Sequence, residues 1–385
     1  MFRKTIFWLH LTCGVCAGGV VLMMSVTGVL LAYERQIVDW ADRDTAPPAQ
    51  GTERQTIEQL LAAAQAERPG FQPQAITLRN DPSAPVTFAA GRAGALLVDP
   101  YTAAVREPEP KALRDFFEAV EGWHRWFNVS GEGRATARAI TGYSNLLFLV
   151  LVVTGLYLWL PRVWKWPAFK TRLVFNRFAT TGKARDFNWH HVFGLWSALP
   201  LAVVVATAVV FSFPWANALV YRSVGEEPPA RGSPPGPPRE GQRRGGGDAN
   251  ADAAATALAY DELFARAAAH GEWRTLTLSL PAAGSARFSV DEGNGGQPQR
   301  RHTLTLDAAT GEVRAWAPFA SQPAGQRLRI WIRFLHTGEA LGIAGQTVAA
   351  IVSATTLLMV WTGLALAWRR LVLPLFRRPA GAGAP

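Results

Sequence analysis

The sequence predicts a mainly α membrane protein with four transmembrane helices and two repeated α+β domains in the long connections between them. Three observations carry this: four long apolar stretches, bases concentrated in alternate connections, and one helix-and-strand pattern that occurs twice. The stretches Thr5 to Tyr33, Ala139 to Leu160, Val192 to Phe213 and Ile343 to Trp368 are near or beyond the roughly 20 residues that cross about 30 Å of hydrocarbon. A soluble cytoplasmic protein is excluded.

The first span, 5–33, follows Arg3 and Lys4 and is longer than the core of a signal peptide. Tyr33-Glu34-Arg35 stands where a small-residue cleavage site would be, so the segment reads as an uncleaved signal anchor. The second span is expected at 139–160, the third at 190–213 and the fourth at 343–368. Between the second and third, the loop 161–187 carries Arg162, Lys165, Lys170, Arg172, Arg177, Lys183 and Arg185 against Asp186 alone. The tail, 369–385, adds Arg369, Arg370, Arg377 and Arg378. By the positive-inside rule these segments and the N-terminus face the cytoplasm, as expected of a multi-pass protein of the bacterial inner membrane with both termini inside. Much of the formal charge of +10 is therefore topological. No contiguous basic domain remains for nucleic acid.

The connections 34–136 and 214–342 then face the periplasm. In the first, Ile57, Leu60, Leu61 and Ala64 recur at helical spacing, followed by strand candidates at 74–78, 85–89 and 93–98 and a turn through Val98-Asp-Pro-Tyr-Thr-Ala-Ala-Val105. The second repeats the plan: a helix near 257–269, strands near 274–280, 286–290 and 302–306, and the turn Leu306-Asp-Ala-Ala-Thr-Gly-Glu-Val313. A stretch at 226–251, dense in Pro, Gly and Arg, is expected to be a disordered insertion. Cys13 and Cys16, both in the first span, exclude a disulfide scaffold and a four-cysteine zinc or iron-sulfur site. They read as small packing residues.

The spans repeat as well: His10, Gly14 and Thr27 in the first match His190, Gly194 and Thr207 in the third without a gap. His10 and His190 enter from the cytoplasmic side, whereas His124 and His336 precede the second and fourth spans on the other side. Ionisable side chains at these depths need a partner or a function. A haem b needs two axial imidazoles from facing elements, a flat apolar cleft and cations for its propionates. Those materials occur twice: His10 with His190, beside Trp8, Trp189 and Trp196, and His124 with His336, beside Trp123, Trp126, Phe127, Trp331 and Phe334. Arg125, Arg329 and Arg333 are candidate propionate partners. His191 points about 100° away from His190 on a helix, so His190 is the expected ligand. The residues alone leave open ordinary interfacial anchoring, or transport of a metal, proton or substrate.

Leu9-His10-Leu-Thr-Cys-Gly14, Ser25-Val-Thr-Gly28, Gly122-Trp-His124-Arg125-Trp, Thr154-Gly155-Leu-Tyr-Leu-Trp, Trp189-His190-His-Val-Phe-Gly194-Leu-Trp and Leu335-His336-Thr-Gly-Glu339-Ala-Leu-Gly342 together resemble the PepSY-associated transmembrane family. The turns at 98–105 and 306–313 resemble the strand-turn-strand part of PepSY domains. The resemblance implies two PepSY-like domains, two haem b groups with His10, His190, His124 and His336 as axial ligands, and reduction of ferric iron in a siderophore or other ferric chelate. His191 departs from the family, which often has Arg after the ligand histidine. With no Rossmann fingerprint in the chain, the donor would be a membrane quinol or a cytoplasmic partner. The competing classes are a PepSY-type binding or regulatory membrane protein without redox activity, and a siderophore transporter.

Overall fold

The computed structural model describes residues 1–42, 53–108, 111–229, 257–282 and 284–376. In chain order the helices are α1 (Phe2–Leu31), α2 (Glu34–Ala41), α3 (Ile57–Glu67), α4 (Lys111–Trp126), α5 (Gly133–Trp159), α6 (Trp166–Leu173), α7 (Gly182–Ser212), α8 (Pro214–Arg222), α9 (Tyr260–Ala268), α10 (Ala324–His336) and α11 (Gly342–Leu371). The strands are β1 (Ala75–Arg79), β2 (Val86–Ala89), β3 (Ala95–Val98), β4 (Val105–Arg106), β5 (Thr275–Ser279), β6 (Ser285–Asp291), β7 (Arg301–Asp307) and β8 (Val313–Pro318). The chain forms two compact units, one of residues 1–33, 117–220 and 332 onward, the other of 34–116 and 221–331. Most of the Pro/Gly/Arg-rich 226–251 segment, and the end of the tail with Arg377 and Arg378, lie outside the described residues.

In the first unit α1, α5, α7 and α11 are long and apolar enough to cross a membrane. Helix α1 packs on α5 and α11, and α7 packs on the same two, so α1 and α7 stand on one diagonal of a four-helix ring. Val15, Leu22, Val153, Leu199, Ile351 and Trp361 are exposed apolar side chains suited to lipid. Polar bonds tie the helices where hydrocarbon offers no alternative: Asn145 Nδ2 donates to Val205 O at 3.1 Å, and Gln346 Nε2 to Ala32 O at 2.8 Å. At the basic end Arg3 donates to Leu158 O and Leu160 O, each at 2.7 Å, and Arg172 donates to Trp159 O. These bonds satisfy carbonyls that the end of α5 leaves without helical partners.

The spanning helices outrun the apolar windows. Helix α5 starts six residues before the expected 139, and α7 starts at Gly182, where the Thr181 side chain accepts from Ala184 N at 3.2 Å. Hydropathy marks where hydrocarbon would begin, whereas caps and polar partners mark where the helix ends. Asp186 illustrates this: it is 1% exposed yet lies inside α7, paired with Arg185 and with Arg369 of α11 at 2.6 Å.

The second unit holds one antiparallel sheet in the order β4-β3-β2-β1-β5-β6-β7-β8. Each long connection supplies four strands and a helix, and β1 pairs with β5 from Ala75↔Ser279 to Arg79↔Thr275. Alternate residues face a single core, where Ile76, Phe88 and Leu96 meet Leu276, Phe288 and Leu304 beneath Leu60 of α3 and Leu263 of α9. The two helices also cap each other: Ile57 N donates to Asp261 Oδ2 at 2.7 Å and Tyr260 N donates to Glu58 Oε1. The turn after β3 and the turn after β7 are copies. Asp99 accepts from Tyr101 N and Thr102 N, and Asp307 accepts from Ala309 N and Thr310 N.

Candidate cofactor site

Each of four histidines arrives at the ring from a different element. His10 lies in α1 and His190 in α7, on the diagonal, and their ring centroids are 6.4 Å apart with planes at 89°. His124 ends α4 and His336 ends α10; their centroids are also 6.4 Å apart, with planes at 63°. The turn after α4 runs through Phe127 and Asn128, both at φ 54°, and Thr141 Oγ1 of α5 donates to Arg125 O at 2.8 Å, which fixes the end of α4. After His336 the chain turns through Gly338 at φ 77°, where a Cβ would run into the backbone of Gly345. No larger residue fits there.

All four rings are anchored by the same kind of bond from Nδ1 to a threonine on a neighbouring spanning helix. His10 meets Thr154 Oγ1 at 2.9 Å, His190 meets Thr362 at 3.1 Å, His124 meets Thr27 at 2.8 Å and His336 meets Thr207 at 3.2 Å. Three rings have a second acceptor: Met359 O lies 3.1 Å from His190, Val204 O lies 2.9 Å from His336, and the Met24 carbonyl accepts from His124. Among the described residues, no hydrogen bond engages the Nε2 of any of the four. His124 and His336 lie outside the four spanning helices. Burial, then the neighbouring His336, lowers His124 to about 4, and burial lowers His336 too, the direction that favours the neutral imidazole a metal ligand needs.

Since Thr27 lies 17 residues after His10 on α1, the two pairs are roughly 25 Å apart along that helix. One pair sits toward the end with the basic residues and the other toward the opposite end. His191, the next residue on α7, also has its ring centroid 6.4 Å from that of His190, but it does not come from a facing element: its ring lies 4.1 Å from that of Phe187 and its Nδ1 donates to Phe187 O at 2.8 Å.

The residues present fit haem. Bonds of about 2.0–2.1 Å from one metal to an imidazole on each side put ring centroids about 6–6.5 Å apart, the separation found in both pairs. Two imidazoles fill the axial positions of an iron porphyrin but are too few for a bare zinc ion. Among the described residues no three His, Cys, Asp or Glu side chains group to hold such an ion. One turn beyond His10 and His190, a Cβ at Gly14 would meet only Leu151, at 3.8 Å, and one at Gly194 would meet Met359 Cε at 3.5 Å.

Of the candidate propionate partners, Arg125 pairs with Glu121 and covers Trp126 at 4.8 Å, and Arg333 covers Phe334 at 5.6 Å. Arg329 falls in the other unit. Two of the flanking tryptophans have other partners: Trp8 lies under Arg370 at 5.4 Å, and Trp196 Nε1 donates to Leu173 O at 3.0 Å. The ring against His336 is instead Phe211, at 5.5 Å. A cavity of about 350 Å³ in the second unit, lined by Asn80, Gly271, Glu272, Trp273, Arg274 and Glu292, includes none of the four histidines.

Sequence reasoning gave Thr154 no role and passed over Thr362 and Gly363. The signal was the repeat Thr-Gly-Leu at 154–156 and 362–364, beside Thr27-Gly28. A Cβ at Gly155 or Gly363 would stand 3.2 Å from Cε1 of His10 or His190, and one at Gly28 would stand 3.7 Å from Cε1 of His124. The dipeptide thus supplies an acceptor and a space for one ring.

The family described as the PepSY-associated TM region matches residues 7–370. A comparison with curated proteins gives no match.

Proposed function

Because the chain belongs to the PepSY-associated TM region family, we propose that this membrane protein is a haem b oxidoreductase that reduces the iron of ferric siderophores or other ferric chelates. His10 and His190 would hold one haem, and His124 and His336 a second. When bound, haem supplies the one-electron chemistry that no side chain here offers. The observation that carries the reading is the matched geometry of two histidine pairs, each at 6.4 Å between centroids.

The chain's own residues have definite tasks in this scheme. Four threonines hold the imidazoles, the glycines beside them make room for the rings, and Arg125 and Arg333 neighbour the second pair as candidate propionate partners. Placing one pair toward each end of the bundle suits a donor and an acceptor on opposite faces, since one centre cannot serve both edges of about 30 Å of hydrocarbon. The basic residues at the His10 end support a bacterial inner membrane with both termini in the cytoplasm. The donor is then a quinol or a cytoplasmic protein, and the acceptor is periplasmic. Reduction weakens the chelate because siderophore oxygens favour the harder ferric ion. We read the two halves of the eight-stranded sheet as PepSY-like repeats that face this acceptor compartment.

Absorbance of the purified protein tests the reading. A b-type Soret band, sharp α and β bands on reduction and about two haems per chain are expected, together with reoxidation of the reduced protein by a ferric hydroxamate. Protein that stays haem-free after expression with ample haem overturns the redox reading and leaves a binding or regulatory one. Uptake of a ferric siderophore into vesicles without reduction would favour a transporter.

A further inference from the structure

Each threonine that touches a candidate ligand has already directed its hydroxyl hydrogen into its own helix. Thr27 Oγ1 donates to Met23 O at 2.8 Å, Thr154 to Val150 O at 2.6 Å, Thr207 to Val203 O at 2.7 Å and Thr362 to Leu358 O at 2.8 Å. A hydroxyl has one hydrogen and keeps its lone pairs for accepting. The imidazole nitrogen 2.8 to 3.2 Å away must then be the donor. His190, His336 and His124 reach the same state by a second route, because the carbonyls of Met359, Val204 and Met24 can only accept.

We propose that Thr27, Thr154, Thr207 and Thr362 are positioning residues that lock His124, His10, His336 and His190 in the Nδ1–H tautomer, leaving each Nε2 lone pair free to ligate. A chain of two hydrogen bonds, from Nδ1–H to hydroxyl to backbone carbonyl, fixes tautomer and ring rotation before any ligand arrives. The inference deepens the haem reading and rests on it for its purpose, but the tautomer itself belongs to the polypeptide. Fixing the non-ligating nitrogen is how outer partners orient metal-binding histidines and raise their basicity.

The four positions are not equivalent. Among the described residues His10 has threonine as its one Nδ1 acceptor, whereas His124, His190 and His336 keep a backbone carbonyl if the hydroxyl is removed. Thr154→Val therefore releases its ring, and Thr27→Val, Thr362→Val and Thr207→Val do not. Valine preserves the shape of threonine, and Thr154→Ser restores the hydroxyl.

The test is the ¹⁵N spectrum of histidine-labelled, full-length protein purified without haem. Four rings should show a protonated Nδ1 and an unprotonated Nε2. His10 alone should lose this signature in Thr154→Val, with Thr154→Ser and Thr27→Val unchanged. In haem-loaded protein Thr154→Val should retain haem on the order of tenfold less tightly, and the other three valine variants should match the parent. Nε2–H tautomers in the parent, or a Thr154→Val spectrum identical to it, overturn the proposal even if two haems bind. A parent that shows the four tautomers but never takes up haem overturns the functional reading and leaves the proposal standing.

Discussion

Three of the four rings rest against a glycine, and the space they use is one methyl group wide. An alanine Cβ at Gly155 or Gly363 would sit 3.2 Å from the facing Cε1, so the imidazole must give by a few tenths of an ångström. At Gly28 the same atom would stand at an ordinary 3.7 Å from His124. Overpacking of this kind costs about 1–3 kcal/mol, offset in part by roughly 1 kcal/mol of better helix propensity for alanine. Gly155→Ala and Gly363→Ala are therefore expected to melt near the parent temperature while shifting the low-spin electron paramagnetic resonance of the haem proposed at His10 and His190. Gly28→Ala should leave the signal from His124 and His336 in place. The histidines and their pairing were legible because an ionisable residue near an apolar stretch is conspicuous and the 17-residue spacing recurs. Thr27 and Thr207 showed in the repeat, but the contact of any threonine or glycine with a histidine did not, because both residue types have common duties in membrane helices. Nothing local says that Thr362 of one helix faces His190 of another.

At the scale of elements, α7 and α11 are joined by a buried carboxylate. Asp186 is 1% exposed, whereas the side chains of Arg369 and Arg185 are 31% and 50% exposed. Removing the wrong partner of a buried pair is the damaging change. Arg369→Ala, which leaves the carboxylate with Arg185 alone, should destabilise the protein by about 3 kcal/mol. Asp186→Asn should cost less, because both guanidinium groups can turn to water; detergent-solubilised thermal melts compare the two. In the sheet, the copied turns differ at their left-handed position: Ala103 holds φ 56° where Gly311 holds φ 71°. A left-handed non-glycine residue costs roughly 1–2 kcal/mol, and glycine's extra chain entropy returns about half of that. Ala103→Gly should thus slow amide hydrogen exchange in its turn. Gly311→Ala should speed it in the other, where a Cβ would also stand 3.0 Å from Leu258. Burial would raise the Asp99 carboxyl, but the Thr102 and Tyr101 N–H groups, the Thr102 hydroxyl and Arg106 outweigh it and hold the group below its usual value. Its contribution is complete above about pH 4, the unfolded value, and is lost as pH falls through the lower folded one. Protection of this turn, as exchange relative to the intrinsic rate at each pH, should fall on acidification below that point and hold steady above pH 5.

For the whole molecule, a repeated plan was visible in the sequence, but the way the copies combine was not. Antiparallel pairing of β1 with β5 has no local signature: it joins residues some 200 positions apart, and its drive is the unpaired edge that each half would otherwise expose. The spanning helices carry their own repeat, in which α1 and α7 bring His10 and His190 together while Thr27 and Thr207 receive His124 and His336. Sites roughly 25 Å apart on one helix are far beyond the 7–10 Å over which substitutions couple. His10→Ala and His190→Ala should therefore each abolish the same haem, and combining them should do no more than either alone. His124→Ala and His336→Ala should behave likewise toward the other haem, and one substitution from each pair should add. His191→Ala should retain both, since that ring lies on Phe187. Haem content per chain and the reduced α-band at low temperature distinguish the outcomes. Loss of both haems from a single substitution in a protein that still elutes as a folded species would mean that the two ends form one cooperative site, and the scheme of a separate centre toward each face would fall.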